Sequence, residues 1–150
     1  MGGHQDPRHE GKHPELKEKV IVPDVLLQPH VATLEMSFYE GKAFPEEYQG
    51  DIFASLHGSW NRSVRTGYEV IRVPMHQTGR ASGDYEDFVT GFAVDNGHVW
   101  GRPVGIAVAP DGSLLVSDDG SNTIWRVVYS GGNGEKKAGA MQESAESAAK

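Results

Sequence analysis

The chain writes one strand-bearing design twice, and the first copy carries an extra loop. Gly50, Ser55, Gly58 and Ser59 fall on Gly112, Ser117, Gly120 and Ser121 at a constant offset of 62. Further along, Ile71-Arg72-Val73 falls on Trp125-Arg126-Val127 at an offset of 54, so the first copy holds eight more residues, Trp60 to Gly67, between its two strands. Repeats share a scaffold, and what one copy adds is where function concentrates.

The ends of the 150-residue chain look unable to pack. Residues 1–19 are rich in His, Lys, Glu, Gly and Pro, and residues 130–150 in Gly, Ala, Ser, Glu and Lys. Both read as disordered, leaving 20–129 as the folded part. A formal charge of −7 argues against nucleic acid or an anionic membrane as partner. No apolar run suits a bilayer span or a secretory signal. Without cysteine, disulfides, thiolate metal sites and thiol nucleophiles are excluded. His4, His9 and His13 have no partner cluster in the leader, and no metal is assigned to them.

Nineteen glycines and eight prolines suit short strands joined by turns. Alternation and turn signals predict strands at Leu34–Tyr39, Asp51–Leu56, Tyr68–Met75, Tyr85–Val89, Pro103–Val108, Ser113–Ser117 and Thr123–Tyr129, and no convincing helix. Four-stranded meanders repeating in this way read as propeller blades, one over 30–92 and a three-stranded one over 101–129. A seven-stranded two-sheet sandwich is the competing architecture. The repeat favours blades.

In an up-and-down blade the link into the first strand and the link from the second to the third open on one face. That rule collects His30, His57, Asn61, Arg62, Arg65, Arg102, Asp118 and Asp119 on one rim. Arginine forks beside histidine suit a ligand bearing several carboxylates or phosphates. Arg102 precedes Pro103, which biases its backbone toward extension before any ligand arrives. Each arginine reads equally well as a loop brace, Arg65 most of all. Asp118-Asp119 reads as a hydrated cation site or, more simply, as a turn former. Trp60 either stacks on a ring or pins its loop.

Three long segments, Asp51-Ile52-Phe53-Ala54-Ser55-Leu56-His57-Gly58-Ser59-Trp60-Asn61-Arg62, Thr66 to Pro74, and Val99-Trp100-Gly101-Arg102-Pro103-Val104-Gly105 continuing to Ser117-Asp118-Asp119-Gly120 and Ile124 to Val127, carry a resemblance. From about His13 to Tyr129 the chain resembles the C-terminal part of the soluble sugar and sorbosone dehydrogenases that use pyrroloquinoline quinone (PQQ). The resemblance implies an all-β, six-bladed propeller of which about two blades are present, and a quinone that takes a hydride from an aldose or related sugar. It also implies calcium ordering the cofactor and a histidine base, both held by earlier blades and outside this chain. By resemblance His57, Arg62, Arg102 and, less directly, Asn61 face the cofactor, and the compartment is periplasmic or secreted. Glu35 departs from the pattern. At an offset of 70 it falls on Gly105, and family members tend to carry glycine there. Its carboxylate is expected to crowd the channel and weaken quinone binding, or to point out through a local bulge.

These features define an oxidoreductase fragment, inactive alone and contributing cofactor-facing basic residues. The alternatives are a non-catalytic binding or scaffolding module that self-associates, and a broken reading frame. Two blades leave apolar faces and an unpaired edge open. Three copies meeting head to tail would close a six-bladed ring.

Overall fold

The computed structural model describes residues 6–131, and apart from single 3-10 turns its regular structure is all β. Strands β1 (Thr33–Phe38), β2 (Ile52–Leu56), β3 (Glu69–Val73) and β4 (Glu86–Val89) form one sheet in chain order. Strands β5 (Pro103–Val108), β6 (Leu114–Asp118) and β7 (Thr123–Val127) form another. Every neighbouring pair is antiparallel. All seven anticipated segments are strands, differing only by a residue or two at their ends. The 3-10 turns, Pro7–His9, Pro14–Leu16 and Glu46–Tyr48, contain no fully buried residue, though Tyr48 packs part-buried against the core between the blades. Beyond residue 131 the anticipated tail lies outside the described residues.

Contact between the sheets runs chiefly through β1 against β5 and β2 against β5. The meanders therefore fan out from their first strands, and no strand crosses between sheets as a Greek-key sandwich would require. These are blades.

One apolar cluster fills the wedge between them: Tyr39, Phe44, Phe53 and Val70 of blade one meet Ile106, Leu114 and Val116 of blade two. Period-2 alternation selects these positions, since Phe53 and Val70 share one face of β2 and β3 while Ile106, Leu114 and Val116 share the facing side of β5 and β6. The packing is aromatic, with Tyr39 stacked on Phe44 at 4.7 Å and Phe53 against Phe88 at 4.5 Å between ring centroids. Tyr39 ties the blades by hydrogen bonds as well. Its hydroxyl donates to Gly112 O at 2.7 Å and accepts from Phe44 N at 2.9 Å. Gly112, at φ +84°, brings its turn so close that a Cβ would lie 2.7 Å from Ala43 N. A side chain there would push the blades apart.

The outward face of blade one holds a second cluster, Val31, Ala54, Leu56, Ile71 and Val73, partly covered by Val25 and Leu27 of the incoming segment. Just before β2, the buried Asp51 carboxylate accepts from Arg72 Nε at 2.6 Å and from Met75 N at 2.8 Å.

Both inner strands carry the same irregularity. Register shifts between Thr33 and Met36 in β1 and between Pro103 and Ile106 in β5, so Glu35 and Gly105 occupy equivalent bulges. The bulge sends the Glu35 carboxylate across to blade two, where it accepts from Ile106 N at 3.2 Å. A Cβ on Gly105 would stand 2.9 Å from that carboxylate, so glycine on the second blade makes room for glutamate on the first.

Candidate functional site

The added loop has a rigid neck and an open tip. Ser59 is fully buried; its N–H donates to Thr66 O at 2.9 Å and its Oγ accepts from Thr66 N at 3.0 Å. Arg65 Nη1 donates to Ser59 O at 2.8 Å and to the Tyr68 hydroxyl at 2.9 Å, and that hydroxyl itself donates to Ser59 O. Arg65 is thus the brace its simpler reading made it. Asn96, which sequence reading did not single out, clamps the loop from outside by accepting from Arg65 N at 2.6 Å and donating to Ser63 O at 2.6 Å. Its Asp95-Asn96-Gly97 setting announces a turn, but nothing local announces a partner 31 residues away. Trp60, at the tip, is 83% exposed and pins nothing.

The segments that alternation assigns to one rim do meet there. His57 N and Gly58 N donate to Ala32 O and Val31 O at 3.0 and 2.8 Å, joining the loop to the chain entering β1. Arg62 Nη1 reaches Pro29 O at 3.1 Å from the same loop. Across the blade boundary, His57 Nε2 lies 3.1 and 3.2 Å from the two carboxylate oxygens of Asp119, and Arg102 Nε donates to Asp119 Oδ1 at 2.8 Å. One half-exposed carboxylate is therefore held by cationic or potentially cationic groups from both blades. Asn61 is exposed at the loop tip, and His30 is exposed in a left-handed conformation, φ 69°.

Asp118 and Asp119 are neighbours with different tasks. Asp118, on the side of β6 that Leu114 and Val116 turn toward blade one, is 3% exposed, and its Oδ1 accepts from Arg102 N, Gly120 N and Ser121 N at 2.8, 2.8 and 3.1 Å. Its Oδ2 accepts from Ser121 Oγ at 2.7 Å and Trp125 Nε1 at 3.0 Å. Burial by itself would raise this carboxyl's pKa, but the donors, Arg102 N and the Trp125 indole foremost, outweigh it and hold the group down to about 2. The turn-former reading holds for Asp118, which fixes the backbone of Arg102. Asp119 faces the rim instead, and its role as a bridge between blades was not read from the sequence.

Among the described residues no group of three or more His, Asp or Glu side chains is placed to hold a metal ion, and no helix is long and apolar enough to cross a membrane. His4 lies outside the described residues.

Comparison with known proteins places this geometry. A TrAA12-like family profile matches residues 5–130. A protein of Borreliella burgdorferi described as uncharacterized is 40% identical over 114 residues, covering 75% of this chain and 30% of its own length. A PQQ-dependent pyranose dehydrogenase of Coprinopsis cinerea is 32% identical over 127 residues, covering 70% of this chain and 16% of the enzyme. Among solved structures, the holo PQQ domain of pyranose dehydrogenase from Coprinopsis cinerea superposes with a TM-score of 0.60 at 28% identity, over 76% of this chain and 31% of that one. The calcium structure of a Trichoderma reesei enzyme of carbohydrate-active family AA12 gives 0.64 at 20% identity, over 80% of this chain and 30% of that one. The chain thus spans under a third of the relatives it matches. Matched by that family profile over nearly all of its described length, it belongs to the TrAA12-like family.

Proposed function

We propose that the chain is the C-terminal, cofactor-facing part of a PQQ-dependent sugar dehydrogenase, with His57, Asn61, Arg62 and Arg102 turned toward the quinone. The observation that carries this reading is the convergence of His57 Nε2 and Arg102 Nε on the Asp119 carboxylate. A rim that already holds one carboxylate between two blades has the donor chemistry that a polyacidic cofactor needs. When bound, the quinone supplies the hydride-accepting chemistry; this chain supplies position and positive charge. Arg102, its backbone fixed by Asp118, exchanges Asp119 for a ligand carboxylate with little reorganisation. His57 donates alongside it, Arg62 turns inward from Pro29 O, and Asn61 adds a neutral donor. The base and the calcium ligands belong to preceding blades in this reading, so turnover requires a completed propeller.

Equilibrium dialysis of PQQ against the chain tests the proposal, with an aldose and an artificial electron acceptor added in parallel. Binding is expected for wild type and about 10- to 150-fold weaker for Arg102→Ala, the loss of one charge-assisted contact of about 1.5–3 kcal/mol. Wild-type affinity in Arg102→Ala contradicts the cofactor role, and turnover by this chain alone contradicts its dependence on further blades.

A further inference from the structure

Because each blade presents the same two faces, the contact inside the chain is also a template for a contact between chains. Blade one's inner face packs on blade two's outer face, which leaves blade two's inner face and blade one's outer face without a mate. Equivalence follows the repeat: Leu115, Ser117, Ile124 and Arg126 stand where blade one has Phe53, Ser55, Val70 and Arg72, and Leu34 and Met36 stand where blade two has Val104 and Ile106. Both unmated faces are apolar and open, with Ile124 69%, Leu34 54%, Met36 53% and Phe38 49% exposed. Val25, Leu27 and Val31 cover the part of the outer face over β2 and β3, and leave β1 open. Strand β1 is what a repeat of the internal contact needs, since that contact itself runs through β1 against β5 and β2 against β5.

A hydrogen bond follows the same template. Ser55 Oγ accepts from Glu35 N at 3.1 Å within its own blade and donates to Val104 O at 2.5 Å on the next. Ser117 Oγ accepts from Gly105 N at 2.8 Å in the same way. In the docked arrangement its own proton would be offered to Leu34 O of a neighbouring copy, the equivalent of Val104 O.

We propose that blade two's inner face, centred on Ile124 and Ser117, docks a second copy of this chain through that copy's Leu34-Met36-Phe38 strand. The contact is head to tail, so each copy keeps one free face until the ring closes. With two blades to a copy, the six-bladed ring that the family resemblance implies would close with three copies. The proposal concerns this chain by itself and does not depend on quinone binding at the rim; where preceding blades adjoin the chain, as in the proposed function, they take the same two faces.

Size exclusion with light scattering, run over a concentration series, reads it directly. Wild type is expected to move from 16.3 kDa toward three times that mass as concentration rises. Met36→Glu blocks one face and Ile124→Glu the other; each variant alone is expected to remain monomeric. Mixed, they retain one compatible pair of faces and are expected to form a one-to-one dimer that grows no further. Circular dichroism checks that both are folded, and Leu34→Lys replaces Met36→Glu if that variant unfolds. A wild type that stays monomeric throughout, a single variant that keeps the wild-type mass, or a mixture that stays apart overturns the proposal.

Discussion

Replacing Asp118 by Asn tests whether one buried carboxylate organises the rim. The amide oxygen can keep the three backbone donors, Arg102 N, Gly120 N and Ser121 N, but the amide nitrogen then faces Ser121 Oγ and Trp125 Nε1. A serine hydroxyl can rotate to accept, whereas an indole N–H can only donate. One donor loses its acceptor, about 1–3 kcal/mol, and the remaining bonds lose their charge assistance, so a total near 3 kcal/mol is expected. For a slope of about 1.5 kcal/mol per M, the urea midpoint falls by about 2 M. Indole fluorescence reports the transition, because Trp125 sits 5.6 Å from Trp100 beside the lost acceptor. The acid limb gives a second reading. The Asp118 pKa is depressed from 3.8 to about 2, so its contribution is complete above about pH 4 and is lost as pH falls toward 2. That shift corresponds to about 2 kcal/mol, and Asp118→Asn is expected to lack this part of the acid slope. Asp119→Asn, at a half-exposed neighbour, is the control and should cost under about 1 kcal/mol. Equal effects from the two substitutions, or a midpoint shift below about 0.3 M for Asp118→Asn, would refute the assignment.

Three further outcomes follow from the packing. Asp51→Ala takes the shorter of two carboxylate contacts from Arg72, which keeps Glu86 Oε2 and Glu47 O, and leaves Met75 N without its acceptor; it should cost about 1–3 kcal/mol by chemical denaturation. Glu35→Ala removes the acceptor for Ile106 N and should cost about 1 kcal/mol, while Glu35→Gln keeps an acceptor oxygen and should denature close to wild type. Trp60→Ala should leave stability within about 0.5 kcal/mol, since the ring supports nothing in its loop; a larger loss would mean that the tip is packed after all.

The strands were legible because their signal is local. Ile71 and Val73, or Leu114 and Val116, declare a buried face by spacing alone, and the turns between them carry glycine where positive φ is needed. The rim was legible for a topological reason: once the strands alternate up and down, His57, Arg62 and Arg102 have no other end to occupy. Glu35 marks the limit of that reasoning. Its equivalence to Gly105 was visible and a bulge was one of two outcomes foreseen, yet its hydrogen bond to Ile106 N depends on how far apart the two blades stand.

From the chain alone came the number of strands, the division into two like units and the end on which the cationic loops gather, because these depend on residue period and order. Tertiary packing decided the partnerships. Asp118 and Asp119 are identical in sequence terms, but one falls on the side of β6 that faces blade one, among five donors, and the other faces the rim between His57 and Arg102. Charge and hydrogen-bond energies change over an ångström or two, a scale that strand period does not encode and that only the approach of one blade to the other sets.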